Sequence, residues 1–135
     1  MNILVIDDDP AVGSAIRRAL CADAVSVETD SVSGVARFAS AELDGEPFEL
    51  VLCDAVMHGM TGADVAAAVH AHREPPMMVL MAQPDDIVDP AGADVVLAKP
   101  FRVAELREAI EQIRAARAHA KTRACPRLLQ LGVMG

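Results

Sequence analysis

Three carboxylates in a row, Asp7-Asp8-Asp9, stand near the N-terminus, a fourth, Asp54, closes the apolar run Leu50-Val51-Leu52-Cys53, and Lys99 follows Val95-Val96-Leu97-Ala98. A charged side chain at the end of a buried strand costs several kcal/mol unless something pairs with it. Two or three carboxylates within a few ångströms of one another repel, and a divalent cation resolves that repulsion. Hard oxygen ligands at a solvent-facing crevice suit Mg²⁺, which keeps several waters and often shares its coordination with a phosphoryl group. A carboxylate beside Mg²⁺ and a lysine is equipped to accept a phosphoryl group, because metal and ammonium stabilise the transferring oxygens while the carboxylate attacks. Zinc is not indicated, since His58, His70, His72, His119 and the cysteines share no ligand spacing. Taken singly, each feature has a plainer reading: Asp54 as a turn former, Asp-Asp-Asp-Pro as a helix N-cap, Lys99-Pro100 as an exposed lysine before a turn. Their coincidence at the ends of strands selects the chemistry.

Apolar runs of strand length alternate with segments of helical period, the pattern of a parallel sheet covered by helices on both faces. Strands are expected at Asn2–Asp7, Ala24–Thr29, Phe48–Asp54, Met77–Ala82 and Asp94–Ala98. Helices are expected from Pro10 to about Ala22, from Ser31 as N-cap to about Leu43, and from Thr61, with Asp64 completing a capping box, to about Arg73. A fourth helix around Pro84–Ala91 is short or disordered in this reading, because Pro84 and Pro90 leave it little room. A last helix runs from about Arg102 to Ala118, with Val103, Leu106, Ile110 and Ile113 on one stripe. The result is an α/β, flavodoxin-like (βα)5 chain, a doubly wound five-stranded parallel sheet of order 2-1-3-4-5. Such sheets bind ligands beyond the carboxyl ends of their strands, where Asp7, Asp8, Asp54 and Lys99 all fall.

The 135 residues, 53% apolar, are enough for one core, and no apolar run has the length of a membrane span. The start enters directly into a strand and three aspartates, so a cytoplasmic location without membrane contact is expected. Cys21, Cys53 and Cys125 are odd in number and read as buried thiols or spectators. The net charge of −8 divides unevenly: all 20 acids lie in residues 1–113, and residues 114–135 carry five Lys/Arg and no acid. The acidic body is a poor direct partner for nucleic acid.

With these motifs in this order, the chain resembles the receiver domains of two-component response regulators. The resemblance rests on Ile3-Leu4-Val5-Ile6-Asp7-Asp8-Asp9-Pro10, on Leu50-Val51-Leu52-Cys53-Asp54 with Met57-His58-Gly59-Met60-Thr61-Gly62, and on Gly92-Ala93-Asp94 leading to Lys99-Pro100-Phe101. It covers about residues 1–116, giving a receiver domain at 1–118 and a basic, flexible tail at 119–135. It implies a phosphoacceptor signalling domain rather than an enzyme proper, with self-catalysed phosphorylation and dephosphorylation as a further property. Asp54 would take the phosphoryl group from a histidine kinase or histidine phosphotransfer protein. Asp8 and Asp54 would bind Mg²⁺ together with the Val56 backbone carbonyl, Asp7 would assist directly or through water, and Lys99 would contact the phosphoryl group. Pro100 would follow a cis peptide bond. A downstream protein and a homodimer belong to the implied partners.

The sequence departs from the family at its usual switch. The Ser/Thr position at the end of strand 4 is Met81, or Ala82 with a shift of one, and the aromatic position before the lysine is Val96. Met81 and Lys99 are 18 residues apart, shorter than the family spacing by roughly one helical turn. Output is therefore expected by a route other than the Thr/Tyr relay. His58 replaces a usual proline and reads as a solvated loop residue, and Cys53 as core filler. The tail could extend the last helix as far as Pro126, be disordered, be a linker remnant, or dock on an acidic partner. The alternative to a phosphoacceptor is a pseudo-receiver acting as a phosphorylation-independent interaction module. A related phosphohydrolase is disfavoured because Val56, not an acid, stands two residues after Asp54.

Overall fold

The computed structural model describes residues 1–71, 75–90 and 92–134, with side chains described as far as residue 120. The expected alternation forms β1 (Asn2–Ile6), α1 (Pro10–Ala19), β2 (Ala24–Glu28), α2 (Ser31–Leu43), β3 (Leu50–Asp54) and α3 (Gly62–His70), followed by β4 (Met77–Ala82), β5 (Val95–Ala98) and α4 (Val103–Met134). The five strands pair in parallel in the order β2-β1-β3-β4-β5, the flavodoxin-like arrangement.

The central strands β1, β3 and β4 are apolar at nearly every position because both of their faces are covered. Alternation divides their side chains into two clusters. Leu4, Ile6, Val51, Cys53 and Leu80 pack against Phe38 of α2 and Val65, Ala66 and Val69 of α3. Ile3, Val5, Leu52, Val79 and Met81 pack against Ile16 of α1, its C-cap Leu20, and Leu106, Ile110 and Ile113 of α4.

Local chemistry fixes where the helices start. Asp9 caps α1 by accepting from the Ala11 N–H at 2.9 Å, ahead of Pro10 in the first turn. Thr61 and Asp64 form the expected reciprocal capping box of α3. The N-cap of α2 is Asp30 rather than Ser31, because the Asp30 carboxylate accepts from the Ser33 N–H at 2.9 Å. That leaves the Ser31 side chain available for another task.

Between β4 and β5, the described residues from 83 to 94 form turns and irregular backbone without a helix, in line with the two prolines. Helix α3 ends at His70 with Ala71 as its C-cap, and the rest of its expected extension to Arg73, residues 72 and 73, lies outside the described residues. Within α4 the expected stripe holds at Leu106, Ile110 and Ile113, whereas Val103 is 39% exposed at the rim. The helix continues past Ala118 to Met134, so the end read from the stripe marks where core contact stops. The side chains of residues 121–135, and with them the expected character of the tail, lie outside the described residues.

Candidate functional site

At the carboxyl edge of the sheet, Asp7 follows β1, Asp54 ends β3 and Lys99 follows β5. Three carboxylates meet there: one oxygen from each of Asp7, Asp8 and Asp54 lies within 4.8 Å of the other two. Asp7 is completely buried, Asp54 is 8% exposed and Asp8 is open to solvent. The Lys99 ammonium donates to Asp7 Oδ2 at 2.8 Å and stands 3.5 Å from Asp54 Oδ2. Asp7 Oδ1 also accepts from the Asp9 N–H at 2.9 Å, and Asp54 Oδ1 from the Val56 N–H at 3.3 Å. The Lys99–Pro100 peptide is cis, as expected.

The electrostatics reflect this crowding. Burial raises the Asp54 carboxyl above its ordinary range and the negative Asp7 adds to the effect, against the opposing Val56 N–H and Lys99 charge. Burial pulls Lys99 down, but its hydrogen bond to Asp7 and the charges of Asp7 and Asp54 outweigh this, and its net shift is upward. Lys99 thus pairs with two of the three carboxylates, and the hard oxygen donors suit Mg²⁺ rather than zinc. Cys53 is pushed up to about 12, first by burial and then by the charges of Asp54 and Asp7, so it is a core thiol at neutral pH.

The loop from β3 to α3 is held from three sides. Gly62 lets α3 start against the end of β3: a Cβ there would stand 2.7 Å from the Ala55 Cα and 3.0 Å from the Asp54 carbonyl oxygen. Gly59 turns the chain with φ of +85°. Ser31, 1% exposed, accepts from the Met60 N–H at 3.2 Å and donates to the His58 carbonyl at 3.5 Å. Sequence reasoning assigned Ser31 to a cap and missed this anchoring contact; no local pattern marks it, because its partners lie 27 and 29 residues away. His58 itself is exposed, as expected of a loop residue.

Met81 and Val96, the positions expected at the switch, are separated by the pleat. Met81 is the register partner of Asp54 and is fully buried in the cluster beneath α1 and α4. Val95 and Leu97 pack toward that same cluster, so Val96, 40% exposed, faces the opposite way. Arg114 and Arg117, which begin the basic stretch 114–135, make contacts within the folded body. The Arg117 guanidinium donates to the Pro75 and Pro76 carbonyls at 3.0 and 2.8 Å and to Asp94 at 3.2 Å.

The profile of the response regulator receiver domain family matches residues 3–111, and the chain belongs to that family. Among curated proteins it is 32% identical over 111 residues to the transcriptional regulatory protein TcrA of Mycobacterium tuberculosis, covering 78% of this chain and 43% of that protein. It is 37% identical over 114 residues to the response regulator MprA of Mycobacterium avium, covering 78% of this chain and 47% of that one. The chain therefore spans about half the length of the curated relatives it matches. Among solved structures, a response regulator receiver domain from Clostridium thermocellum superposes with a TM-score of 0.74 at 22% identity, over 88% of this chain and 98% of that one. The complex of the histidine kinase ThkA with the response regulator TrrA gives a TM-score of 0.68 at 21% identity, over 83% of this chain and 97% of the matched chain. At these identities the structural matches establish the fold.

Proposed function

We propose that this receiver domain accepts a phosphoryl group on Asp54 from the phosphohistidine of a histidine kinase or phosphotransfer protein, and that its output bypasses the Thr/Tyr relay. The observation that carries the reading is the cluster of Asp7, Asp8 and Asp54 oxygens within 4.8 Å, with the Lys99 ammonium bonded to its most buried member. Asp8, Asp54 and the Val56 carbonyl would hold Mg²⁺, with Asp7 assisting. When bound, Mg²⁺ supplies charge to the phosphoryl oxygens and relieves carboxylate repulsion.

The chain's own groups do the rest. An Asp54 carboxylate oxygen forms the new P–O bond as the P–N bond of the donor imidazole breaks, and the ring nitrogen keeps the electron pair. The Val56 N–H fixes the orientation of the Asp54 carboxylate. Lys99 neutralises charge that develops on the phosphoryl oxygens. Asp7, buried beneath, holds the ammonium within reach of Asp54. An apolar groove of about 390 Å³ between α1 and the start of α4 opens beside Lys99, with Val12, Ala15, Phe101 and Leu106 among its walls, and offers surface to the donor protein.

Incubation with Mg²⁺ and acetyl phosphate tests the reading. The expected result is a one-phosphoryl mass increase that Asp54→Asn abolishes, and no increase despite demonstrated Mg²⁺ binding would overturn it. The observation favouring a pseudo-receiver is the pair of positions Met81 and Val96, neither with a hydroxyl and each facing away from the other. We place the protein in the cytoplasm, acting on a downstream protein without direct nucleic-acid or membrane binding. Among the described residues no helix is long and apolar enough to cross a membrane.

A further inference from the structure

The geometry points to Arg117 and Asp94 as positioning residues for Lys99, acting through β5 from the far end of the sheet. The inference rests on the phosphoacceptor reading of Asp54 and adds to it two residues outside the site.

Strand β5 has few restraints of its own. It is four residues long, lies at the sheet edge and, among the described residues, pairs only with β4. One of its faces packs through Val95 and Leu97, while Val96 and Ala98 are exposed on the other, where no helix among the described residues covers them. A crossover helix ordinarily covers such a strand. Lys99 nevertheless extends from this strand with its ammonium 2.8 Å from one carboxylate and 3.5 Å from another.

The missing restraint is supplied at the start of the strand. Asp94 Oδ2 accepts from the Met78 N–H at 2.8 Å and from the Arg117 guanidinium at 3.2 Å, and the Asp94 N–H donates to the Met78 carbonyl at 2.8 Å. The same guanidinium donates to the carbonyls of Pro75 and Pro76, just before β4. One planar fork from α4 therefore fixes the entry of both β4 and β5. The Arg117–Asp94 ion pair alone is too exposed to matter greatly, at 37% and 27% side-chain exposure. Its strength lies in three acceptors arranged around one rigid cation, a geometry that lysine does not reproduce. At the other end, the Lys99 N–H donates to the Ala82 carbonyl at 2.7 Å, and the restraint is passed along four residues of strand.

The test uses the full chain with Arg117→Gln and, as a milder variant that keeps an acceptor for the Met78 N–H, Asp94→Asn. Arg117→Gln is expected to slow acetyl phosphate modification of Asp54 roughly tenfold, since small misplacements of a catalytic group cost rates of this order or more. Amide exchange at Leu97 and Lys99 should accelerate roughly tenfold. Mg²⁺ affinity should stay within about twofold, because Asp7, Asp8 and Asp54 ride on β1 and β3. Asp94→Asn should slow the reaction about threefold, and Arg117→Lys should restore only part of the rate. An unchanged rate, or a rate and a Mg²⁺ affinity that fall together, would overturn the inference. A wild-type chain that takes no phosphoryl group would instead overturn the acceptor reading, and exchange at Lys99 in Arg117→Gln would still decide whether the clamp holds β5.

Discussion

The links after β3 and after β4 leave neighbouring strands at the same edge of the sheet, yet they are built differently. After β3 comes a loop anchored by Ser31, a tight approach at Gly62 and a capping box that starts α3. After β4, the described residues reach β5 without a helix, and the expected switch positions, Met81 (or Ala82) and Val96, carry neither a hydroxyl nor an aromatic ring. The contrast separates two requirements. In the proposed reading, accepting a phosphoryl group needs a few charged groups held at fixed distances, and those are supplied after β1, at the end of β3 and after β5. Reporting it through the expected route would use a helix between β4 and β5, and the described residues there form none.

The comparison can be broken most decisively on its intact side. Asp54→Asn should abolish modification by acetyl phosphate in mass spectrometry, with the fold retained by circular dichroism. Lys99→Ala should slow modification about 100-fold, as expected when a charge stabiliser of the transferring group is removed. The same change should cost about 3 kcal/mol in urea unfolding without Mg²⁺, because it strands the fully buried Asp7. On the stripped side, Met81→Ala should lower stability by about 3 kcal/mol, since Met81 now serves as packing in a closed cluster.

Two smaller effects sharpen the contrast. The Lys99 pKa is raised above 10.5 in the folded state, so its contribution to stability is fully present below that pH. It should be lost as pH rises through the folded value, giving wild type a steeper alkaline fall in stability than Lys99→Met. Val96→Tyr, at an exposed site, should change stability by no more than about 0.5 kcal/mol. It should leave the modification rate of Asp54 unaltered, and a large change would show that β5 still couples its open face to the site.

The sequence was most legible where local patterns carry the information. Apolar strands, the Thr61-Asp64 box and Asp9-Pro10 announce their own structure, and the strand ends placed Asp7, Asp8, Asp54 and Lys99 together because sheet topology is restrictive. Long-range hydrogen bonds were not legible. Nothing near Ser31 indicates that its hydroxyl serves residues 58 and 60. Asp94 stood in a recognised motif, but its bond to Met78 depends on β4 and β5 lying side by side. Arg117 stood in the expected last helix and in the basic stretch 114–135, but its bonds to Pro75, Pro76 and Asp94 reach across the fold and leave no local mark.

The thiols turn the site's burial into something that can be timed. Cys53 is completely shielded one residue before Asp54, whereas Cys21 is exposed. With Cys21 and Cys125 replaced by serine, a thiol reagent meets a single thiol that reacts only when the sheet beneath the acceptor opens. Its labelling rate would then act as a clock on that opening, and slower labelling after Mg²⁺ or a phosphoryl donor is added would measure how far the occupied site tightens the strand that carries it.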